Sequence, residues 1–429
     1  MKRIFFLNRF FYPDHSATSQ ILSDLAFHLA ASGRQVGVIT SLQRYDDPEA
    51  KLPAHDFFNG VEVSRIATTQ FGRSALAGRG VDYLSFYASA WRHLRHVLKR
   101  EDILVAMTDP PLLSLIGKHA ARHRGAYLIN WLQDIYPEIA AQLGVPILNS
   151  RIGKAVAYLR DQSLRSAASN IVVGQRMAGK LHDIGLDNVH VIHNWTDDQQ
   201  ITPVRQADNP LRRLWGLQDK FVVGYSGNLG RAHEFDTLLA ASEQLRTDPR
   251  IIFLFIGGGH RMEALIEQVK ARGLAPSFRF IPYQDRATLK QSLGVPDLHW
   301  LSLKPALEGL IVPSKFYGIA AAGRPTLAIT APDGEIARLV QGYNCGLVIE
   351  PGRGDELAAA ILRLSNSPEM LATMGTNARA MLEAQFTRRQ AFERWDEVLA
   401  KIDAGTITPA DRAVMSVRAP LYRANGLDR

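Results

Sequence analysis

The feature that most constrains this chain is an alternation that runs its course and then starts again. Short apolar runs, RIFFLN, QVGVIT, VEVSRI, DILVAM, AYLINWL and NIVVG, are separated by longer stretches with helical spacing, such as Gln20 to Ala31. Runs this short, rich in Val and Ile and divided by helices, make a parallel sheet covered on both faces. After a polar, proline-bearing stretch from Thr196 to Pro210, a second series begins: KFVVGYSG, IIFLFIGGG, FRFIPY, DLHWLSL, PTLAIT and CGLVIE. The reading is α/β, with two Rossmann-like domains over 1–196 and 220–385 and a linker at 197–219. Arg379 to Ala404 has a long helical pattern, placed as a helix crossing back over 386–404 and followed by a loosely ordered tail at 405–429. No residue-level repeat joins the halves.

Length allows two cores: 429 residues with 46% hydrophobic content are enough for two ordinary domains. Cys345 is the only cysteine, which excludes a disulfide framework and a cysteine-rich zinc site and makes the cytoplasm the default compartment. The N-terminal apolar run is interrupted by Asn8 and Arg9, so it reads as a buried strand and not as a signal peptide. Nothing has the length of a membrane span.

A formal charge of +8 favours anionic partners without choosing among them. Its distribution says more. Arg65, Arg73, Arg79, Arg92, Arg95, Lys99 and Arg100 face one acid, Asp82, over residues 65–100. Tyr83, Phe86, Tyr87, Trp91, Leu94 and Leu98 recur there at helical spacing. The pattern suits an amphipathic helix lying on an anionic membrane, and equally a core-facing stripe with a solvated back. No nucleic-acid recognition signature accompanies the charge, so no nucleic-acid partner is expected.

Doubly wound sheets bind ligands at the carboxyl ends of their strands, so the turns after apolar runs carry the candidate site. In VVGYSGNLG, Gly224, Gly227 and Gly230 let backbone approach a phosphate, with Asn228 and Arg231 beside them. FLFIGGGHRM places Gly258 similarly. Neither has the dinucleotide spacing, which weakens a dehydrogenase reading. PALEGLIVPSKFYGIAAAGRP follows another strand. Glu308 suits sugar hydroxyls, Ser314 is placed to cap the next helix, and Lys315 directs an ammonium to its N-terminus. In the first half, Asp134 of WLQDIYPEI stands at a strand end, where it could accept a proton, orient a sugar or cap a turn. Ser16, Ala17 and Thr18 open the first helix and could admit a diphosphate, while His15 reads as structural.

GLIVPSKFYGIAAAGRP, with YSGNLGRAHEFDTLL, FIGGG, WLQDIYPE and VIHNW, resembles the family 4 glycosyltransferases, in particular the bacterial branch that builds exopolysaccharide, O-antigen and colanic acid. The resemblance runs from about Lys2 to Glu393. It implies the GT-B fold: two facing Rossmann-like domains, the C-terminal one holding a UDP- or GDP-sugar and the N-terminal one placing the acceptor. It also implies transfer with retention, no metal requirement and no cofactor. By resemblance the acceptor is a saccharide on a polyprenyl diphosphate, met at the inner face of the cytoplasmic membrane.

The family usually carries a second glutamate for the ribose. Counting from Glu308 puts it at Phe316, and matching the helix end puts it at Gly318, so ribose recognition passes to backbone or to Glu335. The usual diphosphate-binding arginine and lysine are replaced by Asn228 and His233, leaving Arg231 and Lys315 as cations, and Gln133 stands where many relatives have histidine. Alternatives on this architecture are a sugar-nucleotide 2-epimerase and a non-catalytic subunit of a polysaccharide assembly complex.

Overall fold

The computed structural model describes residues 1–45, 47, 52–71, 76–145 and 150–407. Arg73 and residues 408–429 of the expected tail lie outside them.

The first domain is an eight-stranded sheet of β1 (Ile4–Leu7), β2 (Val36–Ser41), β3 (His55–Phe58), β4 (Val61–Ile66), β5 (Ile103–Ala106), β6 (Tyr127–Leu132), β7 (Ser169–Val172) and β8 (Val189–Val191). Its order is β3-β4-β2-β1-β5-β6-β7-β8, parallel except for β3. Helices α1 (Ala17–Ala31), α2 (Leu76–Val97), α3 (Leu113–Arg124), α4 (Glu138–Gln142), α5 (Arg151–Ser166) and α6 (Gln175–Asp183) connect the strands. Alternation along the strands feeds two layers. Phe6, Val38, Val105 and Ile129 pack toward α1, whereas Leu7, Ile39, Leu104 and Leu128 pack toward α2 and α3.

After α7 (Pro210–Leu214), the second sheet holds β9 (Phe221–Asn228), β10 (Ile251–Gly258), β11 (Phe278–Ile281), β12 (Leu298–Ser302), β13 (Thr326–Ile329) and β14 (Gly346–Ile349), all parallel in the order β11-β10-β9-β12-β13-β14. Its helices are α8 (Asp236–Leu245), α9 (Met262–Ala271), α10 (Leu289–Gly294), α11 (Lys315–Ala321), α12 (Glu335–Gly342), α13 (Gly354–Ser365), α14 (Pro368–Gln385) and α15 (Arg388–Asp403). Strand order reverses at β1/β5 in one domain and at β9/β12 in the other. Those crevices are where ligands enter such sheets.

The single helical pattern expected over Arg379 to Ala404 is two helices. Phe386 is buried and Thr387 opens α15 with a capping box to Gln390, which ends α14 and redirects the chain. Helix α15 then packs on the first domain, its fully buried Trp395 meeting Trp131 of β6 at 4.8 Å between ring centroids. A continuous apolar cluster also joins the domains beneath the cleft, with Leu132, Ile135 and Met177 against Leu310, Val312 and Phe316.

Candidate functional site

The β9/β12 crevice is built around a lysine. Lys315, the first residue of α11, runs its side chain across Gly227 at the end of β9. A Cβ at Gly227 would stand 2.6 Å from Lys315 Cε, and φ there is +124°, so only glycine fits. The ammonium lies 5.3 Å from the Tyr225 ring centroid and 3.4 Å from His233 Nε2. His233 donates from Nδ1 to the Ser302 carbonyl at 2.7 Å, which leaves Nε2 as the acceptor for the lysine. Burial pulls Lys315 down to about 8, and burial together with Lys315 pulls His233 down to about 3. His233 is therefore a neutral orienting group, not a replacement cation. Among the described residues no carboxylate forms an ion pair with Lys315.

Around it the strand ends close up. Gly257 has φ of +129°, and a Cβ there would fall 2.4 Å from the Gly227 carbonyl oxygen. Asn228 is exposed beside Leu229, whose N–H binds the Gly258 carbonyl at 2.7 Å. Arg231 is also exposed, with Nη2 3.2 Å from His260 Nε2. Gly230 begins the tight turn from which His233 donates its backbone N–H back at 3.2 Å. Tyr283, 61% exposed, lays its ring over Gly257 and Gly258; the spacing of motifs gave no signal for it. Ser314 does not cap α11: its backbone is already helical and its side chain makes no capping bond.

Glu308 and Asp134 each pair with Ile311 by an isolated bridge. Ile135 N–H binds the Leu310 carbonyl at 2.9 Å, which ties the first domain to the loop that begins at Glu308. Asp134 is pushed up to about 7 by burial and then by Asp109. Glu308 accepts from Thr330 Oγ1 at 2.6 Å and from Glu335 N–H at 3.2 Å, and burial raises its pKa. Thr330 follows β13 directly, so the strand-end rule that found Glu308 finds it too.

Glu335 is not free for a ribose. It is 5% exposed, and its two oxygens accept the N–H groups of Gln175 and Arg176 at 3.0 and 2.8 Å, capping α6 of the opposite domain. Of the two positions for a second glutamate, Phe316 is fully buried, whereas Gly318 lies on the accessible side of α11, where a Cβ would meet only Leu293 Cδ1, at 3.6 Å. The helix opened by Ser16, Ala17 and Thr18 already has a carboxylate at its start, since Asp14 Oδ1 accepts Ser16 N–H at 2.7 Å. That disfavours a diphosphate there. Gln133 is buried, and its Nε2 has no hydrogen-bond partner among the described residues.

The basic stretch divides. Arg65 is 4% exposed and bound to Asp56 and the Tyr12 carbonyl, so it belongs to the interior. Phe86, Leu94 and Leu98 are fully buried, with Tyr87 and Trp91 against the same cluster, so the aromatic stripe faces the core.

Two facing sheets with ligand crevices at the cleft and a cationic end to the second define the two-domain GT-B architecture. Comparison with known proteins agrees. The Glycosyl transferase 4-like domain matches residues 17–195, and Glycosyl transferases group 1 matches 211–381. WbjE of Pseudomonas aeruginosa, a glycosyltransferase by name, is 23% identical over 400 residues, which cover 92% of this chain and 97% of WbjE. WcaI of Escherichia coli K12, named for colanic acid biosynthesis, is 26% identical over 279 residues, covering 63% and 68%. The solved structure of Anabaena HepE with UDP-glucose superimposes with a TM-score of 0.71 at 18% identity, covering 94% of this chain and all 100% of that one. The chain belongs to the family 4 glycosyltransferases and is an enzyme of the hexosyltransferase type. Among the described residues no helix is long and apolar enough to cross a membrane.

Proposed function

We propose that the protein transfers a hexose from a nucleoside diphosphate sugar, UDP- or GDP-linked, to a lipid-linked saccharide in cell-surface polysaccharide assembly, with retention at the anomeric carbon. The observation that carries this reading is the Lys315 ammonium, held over Gly227 at the β9/β12 crevice without a carboxylate partner among the described residues. Breaking the anomeric bond puts negative charge on the departing diphosphate. A preorganised cation and backbone N–H groups at that point lower the barrier by about 3 to 4 kcal/mol per key donor. Glu308, fixed by Thr330 and the Glu335 N–H, presents its carboxyl group to sugar hydroxyls. Asp134, on the first domain, takes the acceptor proton. The reading calls on no metal and no cofactor.

Support for a nucleotide sugar also comes from HepE, solved with UDP and with UDP-glucose. Support for polysaccharide assembly comes from WcaI. The test is a calorimetric screen of UDP, GDP and their common sugars, followed by NMR of the product's anomeric configuration. One nucleotide sugar that binds, is weakened by Lys315→Ala through the diphosphate and is weakened by Glu308→Ala only when the sugar is present supports the reading. A folded protein that binds none of them is a scaffold, and an inverted product removes the retaining mechanism.

A further inference from the structure

Arg9, which breaks the first apolar run of the sequence, is drawn inside by folding and is 7% exposed. An arginine is costly to bury unless a carboxylate accompanies it. Three other arginines are buried among the described residues, and each has such a partner: Arg65 with Asp56, Arg160 with Glu138, and Arg212 with Asp297. Arg9 has no carboxylate within ion-pair distance among the described residues. Its Nη2 donates to Gln43 Oε1, a neutral acceptor, at 3.0 Å. Its Nε is buried and has no hydrogen-bond partner among the described residues. The carboxylate of the turn that follows is engaged by backbone, since Asp14 accepts the N–H groups of Ser16 and Tyr45.

Backbone contacts fix where this charge stands. Arg9 N–H binds the Asp109 carbonyl at 2.7 Å, and the Arg9 carbonyl accepts from Ser41 N–H at 3.0 Å and from Thr40 Oγ1 at 2.8 Å. The residue is thus held at the carboxyl ends of β1, β2 and β5, on the ligand side of the sheet. Its guanidinium carbon lies 5.2 Å from the Phe10 ring centroid and 5.3 Å from that of Tyr83 on α2. Gln43 is held in turn, donating from Nε2 to the Thr69 carbonyl at 2.8 Å. The rings keep water from the cation and so strengthen its pull on an anion. Tyr45, 44% exposed, meets Phe10 edge-on at 5.6 Å between centroids. The phenol of Tyr283, in the second domain, is held up by burial and then by Tyr45, so this cradle opens toward the cleft.

A buried charge with no carboxylate, opening on a cleft, fits an oxyanion. A neutral hydroxyl would leave the charge uncompensated and would bring a donor of its own to a group that only donates. The diphosphate of the donor is placed at Lys315, in the other crevice. We propose that Arg9 holds an oxyanion of the acceptor, a carboxylate or a phosphate on the saccharide that receives the sugar. Assigning that oxyanion to the acceptor rests on the proposed function; the anion site itself does not.

The experiment is NMR of the full chain with its arginines isotope-labelled, without donor, following the Arg9 Nε–H signal assigned by its loss in Arg9→Lys. Glucose 1-phosphate and methyl glucuronide are titrated beside neutral methyl glucoside and sodium chloride at matched ionic strength. A sugar anion should move the signal to saturation, and the tighter of the two names the oxyanion. The glucoside and chloride should leave it in place. Gln43→Glu sets a carboxylate within bonding distance of the same guanidinium at equal size, and it should weaken the sugar anion by at least about tenfold. Melting curves show whether that variant is folded, and the wild-type titration decides without it. No movement with either anion, equal movement with glucoside or chloride, or undiminished binding by folded Gln43→Glu overturns the proposal. So does a shift produced by UDP or GDP that the sugar anions compete away, which would give the site to the donor. A donor screen that finds no nucleotide sugar, with the Arg9 shift intact, removes the proposed function and leaves the anion site standing.

Discussion

Lys315 reaches His233 by passing directly over Gly227, and the histidine, already committed through Nδ1 to the Ser302 carbonyl, offers the ammonium one neutral acceptor. The cation is aimed without being neutralised. Lys315→Met keeps the aliphatic stem and removes the charge. It should weaken nucleoside diphosphate binding by about 1.5 to 3 kcal/mol, the worth of a charge-assisted hydrogen bond. His233→Phe should retain the fold and give a smaller loss, because the lysine remains but is no longer held. Calorimetry with the diphosphate and with the corresponding nucleoside separates the two, since binding of the nucleoside should not change.

Gly227→Ala tests the crossing itself. A methyl group there meets Lys315 Cε, and the backbone sits in a conformation that side chains rarely adopt. The variant should lose about 1 to 2 kcal/mol of stability. It should lose diphosphate binding as fully as Lys315→Met does. Retained affinity in a folded variant would show that the lysine acts from another position.

Two titrations frame the pH dependence. Asp134 must be ionised to accept a proton, and Lys315 must be protonated to hold a diphosphate. With Asp134 near 7 and Lys315 near 8, kcat/KM should rise as pH passes about 7 and fall above about 8. Asp134 also carries a stability cost. Its folded pKa is raised, so the stability present below its ordinary value is lost as pH climbs to about 7. Asp134→Asn should therefore be more stable than wild type at pH 8, by up to about 4 kcal/mol, with the difference nearly gone near pH 4. A flat pH difference between the two proteins would remove the titration from the explanation.

Glu335 holds the domains together from an unexpected position. Glu335→Ala leaves the N–H groups of Gln175 and Arg176 without their acceptor, which costs about 1 to 3 kcal/mol. Because the lost bonds span the cleft, small-angle scattering should show a larger radius of gyration. Nucleotide binding at Lys315 should persist.

The sheets are legible in the sequence because each buried strand is a short apolar run between helical stretches. The strands it does not announce, β3 and β8, are the two edges of the first sheet, and HDFF and VHV are mixed in polarity there because such an edge is only partly covered. Lys315 and Glu308 are legible as residues after strand ends. The roles of Ser314, Glu335 and His233 are not, since which carboxylate turns to the other domain and which histidine is buried are set by packing between segments far apart in the chain. The aromatic stripe of α2 has the same periodicity whether it meets a core or a lipid, and only the third dimension separates the two.

Helix α15 closes the first domain. Trp395 lies fully buried against Trp131 and beside Phe392, which packs on Trp195. A chain emerging from the ribosome has therefore made the whole first sheet, and then the whole second domain, before the last piece of the first core exists. The first domain must wait, with one apolar face uncovered, until α15 has been made. The unit that matures last is the one made first.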